Sequence, residues 1–434
     1  MNIAIIGLWH LGCVYASGCA AVGHTVTAWD PDEKTLEQLS QGIPPILEEG
    51  LEEQIKQGIS TGKLCFKSTY EEAVQNADVV WITFDTPVDA DDNADCTFVT
   101  THITKLLPVC KQDAVVLISS QLPVGSIKQL EQTANDLQRQ DLHFACSPEN
   151  LRLGQAVKLF ANPDRVICGV RSPKVQTILS TLWEPITSRI EWMGVESAEM
   201  TKHAINTFLA TSIAFANELA VLCEHTGADA KEVERGLKTD IRIGEKAYLG
   251  PGMAFSGGTL ARDLQFLSSI YKNKKQEEVS SVLTGVQKSN NHHKLWVIHK
   301  LNELLGRVKD KHIALWGLTY KPGTDTLRRS IALEYATHLI QAGAKVSAHD
   351  PAVSVLPDIY IYNRHISLKP SPQEVIENTD ALVVCTCWDF YKEQVTPGFF
   401  SSMKTPLVID PTRFLHPILK KDTSIRYVAI GLSS

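Results

Sequence analysis

Residues 198–227, AEMTKHAINTFLATSIAFANELAVLCEHTG, decide how the rest of the chain is organised. No glycine or proline lies between Ser197 and Gly227, so we predict one helix that Ser197 caps, that Glu199 stabilises at its positive end and that Gly227 ends. At about 1.5 Å per residue this helix would run roughly 45 Å. Its apolar residues fall on more than one face, which favours a spine between two domains or two subunits over a surface helix.

Lys202 and Asn206 are unexpected on a helix that needs apolar partners around most of its surface. Lys202 and Asn206 lie one turn apart, and therefore on the same face. A buried lysine is costly unless it is paired or used in chemistry, which makes Lys202 a candidate functional residue. The alternative is a lysine that extends to solvent at a helix end, and the helix alone does not decide between the two.

The length, net charge and cysteine content of the chain limit the classes of protein to which it can belong. A chain of 434 residues predicts two or three domains, and a net charge of −7 gives no sign of nucleic-acid binding. We see no apolar run long enough to span a bilayer and no signal-peptide pattern, so we expect a cytoplasmic protein without a membrane partner. The ten cysteines lack metal-ligand spacing apart from Cys385 and Cys387, which alternate along a strand-like run, so we predict no metal and no disulfide framework.

The N-terminus carries a dinucleotide-binding pattern. NIAII (2–6) predicts a buried parallel strand, and a tight turn, a helix and a second strand follow it. Gly7 and Gly12 occupy the first and third glycine positions of the fingerprint, and Asp30 lies where a carboxylate binds the adenosine ribose, which favours NAD over NADP. The middle glycine is Trp9, so either the indole tilts away or the cofactor sits differently.

Further apolar runs at 78–84 and 114–119, with helical stretches between them, predict a doubly wound sheet. Asp85-Thr86-Pro87 and Gln121–Gly125 follow these runs at the carboxyl edge, where open α/β sheets bind ligands. The predicted cofactor-binding residues are Gly7, Trp9, His10, Leu11, Gly12, Asp30, Thr86, Pro87 and Gln121.

Two later segments are candidate ligand loops. FACSPENLRLGQA (144–156) predicts a loop with Glu149 entering a helix, where Glu149 is either a first-turn acid or a catalytic group. Residues 238–267 are glycine-rich and lead into a helix that bears Arg262 and Asp263. Glycines at this density let backbone amides approach an anionic ligand, although an irregular loop before a capped helix explains the pattern equally well.

The C-terminal third repeats the strand–loop–helix–strand layout without the glycine fingerprint. HIALW (312–316) begins this second unit, and Lys321, Arg328 and Arg329 follow near the end of the strand. Basic side chains there suit a phosphate-bearing ligand different from the first cofactor. The predicted fold class is therefore α/β, with two doubly wound Rossmann-like domains joined by the long central helix.

The order of these parts resembles the UDP-glucose/GDP-mannose dehydrogenase family over essentially the whole chain. The likeness is carried by GLWHLG (7–12), DTP (85–87), DCTFV (95–99), LPVG (122–125), SPENLR (147–152) with GQA (154–156), NPDRVICG (162–169), AEMTKHAINTFLATSIAFANELA (198–220), DIRIG (240–244), GPG (250–252) with AFSGG (254–258) and LARD (260–263), GLTYKPGTDTLR (317–328), CWDFYKE (387–393) and IDPTRF (409–414). Together these motifs are far more specific than a glycine fingerprint.

The resemblance implies an NAD-binding domain at 1–196, a central helical dimerisation domain with a glycine-rich active-site loop at 197–300, and a nucleotide-sugar-binding domain at 301–434. Such enzymes oxidise a sugar C6 alcohol twice, through an aldehyde and a cysteine thioester, to a carboxylate. The implied catalytic residues are Lys202, Asn206, Asp263, Glu149 and Thr259. The implied substrate-binding residues are Glu149, Leu151, Arg152, Lys202, Asn206, Arg242 from a neighbouring subunit, Gly257, Lys321 and Arg328.

The sequence departs from the family pattern at the position of its nucleophilic cysteine, four residues before Asp263, where Thr259 stands. A threonine hydroxyl is far less ionised than a thiol at neutral pH and cannot replace it readily. Leu153 replaces the second loop carboxylate of the family, Gln121 replaces a threonine, and Arg262 replaces a lysine. Cys146 neighbours the substrate loop but does not occupy the nucleophile position.

These observations lead to one favoured hypothesis and three alternatives. We expect an NAD-dependent dehydrogenase that oxidises the C6 alcohol of a nucleotide sugar or related glycosyl substrate without a covalent intermediate and stops at the aldehyde, in a homodimer or a larger assembly. The first alternative is full oxidation to the uronate through the aldehyde hydrate. A non-catalytic homologue would fit Trp9, Thr259 and Leu153. It would not explain the retention of Lys202, Asn206 and Asp263, because an unused buried lysine is costly. A 3-hydroxyacid or 6-phosphogluconate-type dehydrogenase would not explain the second strand–loop–helix–strand unit.

Overall fold

The structure is a computed structural model that describes residues 1–87, 94–149, 151–256, 259–273, 281–357 and 365–432. It divides into two compact units, residues 1–205 and 206–434, and the division falls inside the long helix. Each unit is built around its own sheet.

Strands of the first unit form one sheet in the order β3-β2-β1-β4-β5-β6-β7-β8. Neighbouring strands are parallel except β6 and β7. The described strands are β1 (Asn2–Ile6), β2 (Thr25–Trp29), β3 (Leu64–Phe66), β4 (Val79–Ile82), β5 (Val115–Ile118), β6 (His143–Cys146), β7 (Val166–Gly169) and β8 (Ile190–Met193). The strand order around β1 is that of a dinucleotide-binding fold.

Helices connect these strands, because parallel neighbours require crossovers. They are α1 (His10–Ala21), α2 (Glu33–Ser40), α3 (Leu51–Ser60), α4 (Tyr70–Val74), α5 (Cys96–Leu106), α6 (Ser126–Asp136), α7 (Ala156–Ala161) and α8 (Pro173–Trp183), with a short 3-10 helix at Leu107–Val109. The central strands are buried on both faces: all four residues of β4 and of β5 are buried. The predicted continuous apolar runs are therefore confirmed as strands.

The long helix α9 spans Val195–Thr226, three residues earlier at its start than predicted. Ser197 lies inside the first turn, so the prediction that it caps the helix is wrong. Glu199 does not serve its own helix either, because its carboxylate accepts hydrogen bonds from Gly125 N (2.7 Å) and Ile127 N (3.0 Å) at the start of α6. Gly227 has φ +79°, the left-handed conformation that ends helices, as predicted.

The expectation that no segment is long and apolar enough to cross a bilayer is wrong for this helix. By length and composition, Val195–Thr226 passes that test. However, 44% of its most apolar window is buried inside the protein, and core helices of globular proteins pass the same test.

The second unit contains a sheet in the order β11-β10-β9-β12-β13-β14, which is parallel throughout. Its described strands are β9 (His312–Trp316), β10 (Lys345–His349), β11 (Ile366–Leu368), β12 (Ala381–Val384), β13 (Leu407–Ile409) and β14 (Arg426–Val428). Its helices are α10 (Ala230–Thr239), α11 (Thr259–Asn273), α12 (Ser281–His293), α13 (Trp296–Leu305), α14 (Ile331–Gln341), α15 (Pro372–Ile376), α16 (Asp389–Gln394) and α17 (His416–Leu419), with a 3-10 helix at Phe399–Ser402. The predicted fold class, two Rossmann-like sheets and a long helix, is confirmed.

Candidate functional site

The turn between β1 and α1 has the geometry of a phosphate cradle. Gly7 has φ +101°, and a Cβ atom there would lie 2.6 Å from Phe84 N. A Cβ atom on Gly12 would lie 1.8 Å from the Gly7 carbonyl oxygen, so only glycine lets α1 approach the strand this closely. Because α1 begins at His10, its free N–H groups face the turn, where a pyrophosphate can bind.

Asp30 follows β2 directly and is aimed back at this turn. Its Oδ2 accepts a hydrogen bond from Leu8 N at 2.6 Å, and its Oδ1 accepts one from Asp32 N at 2.9 Å. Burial raises the pKa of the Asp30 carboxyl, while the two backbone donors oppose this shift. The group remains partly exposed, so it can still meet ribose hydroxyls. The residues of this edge therefore fit NAD.

Trp9 occupies the middle of the turn without requiring a glycine conformation. Its φ of −84° and ψ of −150° are accessible to any residue, and the side chain is 48% exposed. This favours the interpretation in which the indole tilts away from the turn.

Two strand ends beside the turn are tied together. The Thr86 hydroxyl donates to the Gln121 carbonyl at 2.6 Å, and the Ser120 hydroxyl donates to the Phe84 carbonyl at 2.8 Å. Thr86 is therefore buried, whereas Pro87 is exposed and Gln121 is partly exposed. The carboxyl ends of β4 and β5 thus form one edge with the cofactor turn, as predicted.

Glu149 and Lys202 form a pair within the first unit. Lys202 Nζ lies 2.7 Å from the Glu149 carbonyl oxygen and 3.1 Å from Glu149 Oε1. The Lys202 side chain is only 13% exposed, so it does not extend to solvent. Glu149 does not enter a helix as expected: Leu151 N donates to its Oε2 at 2.8 Å, and α7 begins only at Ala156.

A small cavity of about 30 Å³ lies beside this pair. Its lining includes Gln121, Cys146, Glu149, Lys202 and His203. A volume of this size admits on the order of one or two water molecules. The pair therefore borders a small space with a largely apolar lining rather than solid core.

The loop that contains Glu149 also carries three of the other predicted residues. Leu151 and Leu153 are partly buried, whereas Arg152 is exposed. Leu153 therefore places an alkyl side chain where the family resemblance implies a second carboxylate.

In the second unit, Asn206 and Asp263 are joined directly. Asn206 Nδ2 donates a hydrogen bond to Asp263 Oδ2. Asp263 is fully buried and Asn206 is 6% exposed. Thr259 is the exposed first residue of α11, one turn before Asp263, and Arg262 is buried beside it. Gly257 lies outside the described residues.

The basic residues of the predicted substrate site lie on loops of the second unit. Lys321 is partly buried and Arg328 is exposed, both in the long connection between β9 and α14. The Arg242 side chain is 85% exposed and pairs with Asp240 at 2.6 Å. An exposed arginine of this kind is available to a second chain.

Sequence reasoning missed Glu48, a fully buried carboxylate next to the cofactor turn. Its Oε2 lies 2.8 Å from His10 Nε2. No local pattern separates Glu48 from the exposed Glu49, so only the three-dimensional contacts reveal it. Among the described residues, no group of three His, Cys, Asp or Glu side chains could hold a metal ion.

Comparison with known families accounts for the chain in three consecutive matches. Residues 1–187 match the NAD binding domain of the UDP-glucose/GDP-mannose dehydrogenase family, residues 196–292 match its central domain, and residues 314–417 match its UDP binding domain.

Individual relatives cover the same length. The UDP-glucose 6-dehydrogenase of Rickettsia bellii is 34% identical over 437 residues, with 99% of each chain covered. That of Pseudomonas aeruginosa is 33% identical, with 99% of this chain and 97% of the relative covered. The structure of a UDP-glucose dehydrogenase from Pyrobaculum islandicum superposes with a TM-score of 0.88 at 27% identity, covering 100% of this chain and 98% of that one.

The cofactor edge of the first unit agrees with the match of residues 1–187 to the NAD binding domain of the family. The chain belongs to the UDP-glucose/GDP-mannose dehydrogenase family and is an NAD-dependent dehydrogenase that oxidises a CH–OH group of a nucleotide sugar.

Proposed function

We propose that this enzyme oxidises the C6 alcohol of a nucleotide sugar once, to the aldehyde, without a covalent intermediate. The observation that carries the proposal is Thr259, which stands at the start of α11 where the family resemblance places the nucleophilic cysteine. No cysteine occurs anywhere in Thr259–Asn273. A thiohemiacetal therefore has no sulfur to form on at this position.

The Cys146 thiol of the first unit is a poor substitute. Cys146 borders the cavity beside Lys202, but it is 5% exposed. Burial raises the pKa of its thiol well above the ordinary value, and the Glu199 carboxylate adds to this shift. Since the thiolate is the nucleophile, a thiol held in its neutral form supports the non-covalent mechanism.

We assign roles in a single oxidation to Lys202, Glu149, Asn206 and Asp263. Bound NAD supplies the acceptor for the hydride that leaves C6. In our proposal the Lys202 ammonium stabilises the oxyanion that develops on the substrate, and Glu149 holds that ammonium in position. The Asn206–Asp263 pair holds a water through which the hydroxyl proton passes to the Asp263 carboxylate.

The remaining roles follow the position of each residue. Cofactor binding is assigned to the glycine turn, Asp30 and the strand ends at Thr86, Pro87 and Gln121. Substrate binding is assigned to the loop with Leu151 and Arg152, to the glycine-rich turn, and to Lys321 and Arg328. The positive charge of the last two suits a diphosphate.

Product stoichiometry tests the proposal. Purified enzyme is incubated with NAD and with UDP-glucose, then with other nucleotide sugars, and NADH and products are quantified. We expect one NADH per sugar and an aldehyde. Two NADH per sugar and a uronate would show instead that the aldehyde hydrate is oxidised again.

A substitution at Thr259 sharpens this test. If the missing thiol is what stops the reaction, Thr259→Cys should produce uronate, provided that Leu153 and Gln121 do not prevent it. Thr259→Ser is the matched control and should still give one NADH per sugar. Uronate from the unaltered enzyme would contradict the single oxidation.

We also propose the domain limits 1–196, 197–300 and 301–434, a homodimer and a cytoplasmic location. The family matches at 1–187, 196–292 and 314–417 support the domain limits.

An exposed apolar stripe on α9 supports the homodimer. Phe208, Phe215 and Leu222 recur every seven residues and are 70%, 50% and 58% exposed, so we propose that a second copy of the chain covers them. Light scattering on the protein, with Phe215→Glu as the variant, would test the dimer.

A further inference from the structure

We propose that Glu48 is a positioning residue that couples NAD binding to the order of the substrate loop. The cofactor turn is residues 7–12, and the substrate loop is residues 147–156, in which Asn150 lies outside the described residues. Glu48 lies between α2 and α3, far from both in sequence. The inference rests on the assignment of these two segments under the proposed function, and it is independent of the number of oxidations.

Both carboxylate oxygens of Glu48 are engaged. Oε2 lies 2.8 Å from His10 Nε2, and it accepts a hydrogen bond from Gly154 N at 2.7 Å. Oε1 accepts a hydrogen bond from Ala156 N at 2.9 Å. The Glu48 side chain is fully buried, and the side chain of His10 is 16% exposed. One carboxylate therefore holds the first residue of α1 and the end of the substrate loop together.

Helix capping alone does not explain this arrangement. Gln155, the residue before α7, makes no side-chain cap, so Glu48 supplies acceptors for the start of that helix. A cap needs only the Gly154 and Ala156 amides. The contact with His10 adds a third partner on a separate element, and it falls on the oxygen that also binds Gly154.

The two ends of the substrate loop are held by different carboxylates. At one end, Glu149 pairs with Lys202 and accepts from Leu151 N. At the other end, Glu48 fixes Gly154 and Ala156. Between these points the loop carries Arg152, which is exposed. The conformation of the loop therefore depends on where the Glu48 carboxylate sits.

His10 links the cofactor turn to the Glu48 carboxylate. It opens α1, whose N-terminal amides face the pyrophosphate position. When a phosphate fixes this first turn, His10 is fixed with it, and the shared Glu48 oxygen is held for Gly154. NAD thereby orders the loop that orients the sugar.

Hydrogen–deuterium exchange on the full-length protein tests this coupling. Peptides covering 151–157 are followed with and without NAD. In the unaltered protein we expect NAD to slow exchange of the Gly154 and Ala156 amides. In Glu48→Gln one carboxylate oxygen becomes an NH₂ group that faces a backbone donor, so this NAD-dependent protection should be lost. The Kd for NAD should rise about tenfold, because ordering the loop no longer accompanies binding.

Glu49→Gln is the matched control, with the same chemical change one residue along. The Glu49 side chain is 72% exposed and its ion pair is with Lys158 at the surface. It should leave exchange at 151–157 and NAD affinity unchanged. Thermal melts of all variants confirm that they are folded.

His10→Asn separates coupling from capping. It leaves the Glu48 bonds to Gly154 and Ala156 intact, so exchange of these amides without NAD should match the unaltered protein, while the NAD-dependent protection should fall. The inference is overturned if NAD still protects 154–156 in Glu48→Gln and His10→Asn as in the unaltered protein. It is also overturned if NAD binds the unaltered protein without protecting this segment. Neither result would change the product stoichiometry by which the proposed function is judged.

Discussion

The two sheets of this protein share a strand plan, and the connection after the first strand differs between them. The six strands of the second sheet repeat the order of β1 to β6, to which the first sheet adds β7 and β8. In both, a left-handed glycine ends the first strand, Gly7 with φ +101° and Gly317 with φ +86°. In both, the amide of the residue after the glycine lies 2.6 Å from an acid that follows the second strand, Asp30 or Asp350. The backbone frame of a dinucleotide site is therefore present twice.

The connections after the two glycines diverge. In the first unit α1 begins at His10, so the helix N-terminus lies beside the turn. In the second unit α14 begins only at Ile331, and the intervening loop carries Lys321 and Arg328. The acids diverge too: Asp350 is 5% exposed, and its Oδ2 also lies 2.9 Å from Thr319 N and 3.2 Å from Trp388 Nε1.

This difference explains why one fold binds two kinds of ligand. A partly exposed acid beside a helix N-terminus can bind a ribose and a pyrophosphate. Asp350 is buried against the indole of Trp388 and against Thr319, so it cannot bind a ribose in this way and stabilises the fold instead. In our proposal, charge complementarity to a phosphate in the second unit comes from the basic side chains of Lys321 and Arg328 rather than from helix amides. The connection after the first strand, rather than the shared strand order, therefore determines which ligand each unit suits.

The largest expected effect is on Lys202, at the end of the first unit. If this unit performs the chemistry, Lys202→Ala should lower kcat by about 10³-fold or more, because the developing oxyanion loses its charge partner. NAD affinity, measured by calorimetry, should be nearly unchanged, since Lys202 pairs with Glu149 rather than with the glycine turn.

Lys158→Ala controls for the loss of a lysine from the same unit. Its ion pair with Glu49 is exposed, with 69% of the lysine side chain accessible, and should contribute little. Turnover of the Lys202 variant at the unaltered rate would remove this residue from the mechanism.

The next largest expected effect is on the stability of the fold, and it concerns Asp350, the buried acid of the second unit. Asp350→Asn should lower the free energy of unfolding by about 2–4 kcal/mol, because a buried acceptor of several N–H groups loses its charge and gains a donor. Denaturant titration measures it. NAD affinity should not change, and a weaker affinity for NAD would contradict the structural role assigned to this acid.

Local spacing made much of this fold predictable. β1 and β9 were predicted at 2–6 and 312–316 and have these bounds, because buried parallel strands are continuous apolar runs bounded by turns. Gly7, Gly12 and Asp30 were identifiable for the same reason, since the glycine spacing and the acid at the end of the next strand are local features.

Contacts between distant segments were not predictable. Glu48 meets His10 and Gly154 across 38 and 106 residues, and nothing in its neighbourhood marks it. The environment of Asp350 depends on Trp388, which lies 38 residues later in the chain, immediately before α16. The predicted role of Glu199 at the start of its own helix was wrong as well. Its carboxylate accepts a hydrogen bond from Gly125 N at the start of α6 instead.

A smaller effect is expected at the first acid. Asp30→Asn should weaken NAD binding about tenfold, roughly the loss of one charge-assisted hydrogen bond to a ribose hydroxyl. Stability should fall less than in Asp350→Asn, because fewer donors converge on Asp30 and it is partly exposed. Calorimetry and denaturant titration of the two variants together test whether one acid serves the ligand and the other the fold.

The smallest effect is the pH dependence of NAD binding, which follows from the same acid. Burial raises the pKa of Asp30 above its ordinary value, and the nearby Asp32 carboxylate adds to this while the backbone donors and His102 oppose it. The ribose hydroxyls need the ionised carboxylate as acceptor. NAD affinity should therefore be constant near neutrality and weaken as the pH falls through this raised pKa, at a higher pH than for an ordinary aspartate. In Asp30→Asn this dependence should disappear, whereas in Asp350→Asn it should persist. If the pH dependence of NAD affinity survives in Asp30→Asn, a group other than Asp30 titrates. The proposed difference in function between the partly exposed Asp30 and the buried Asp350 would then be wrong.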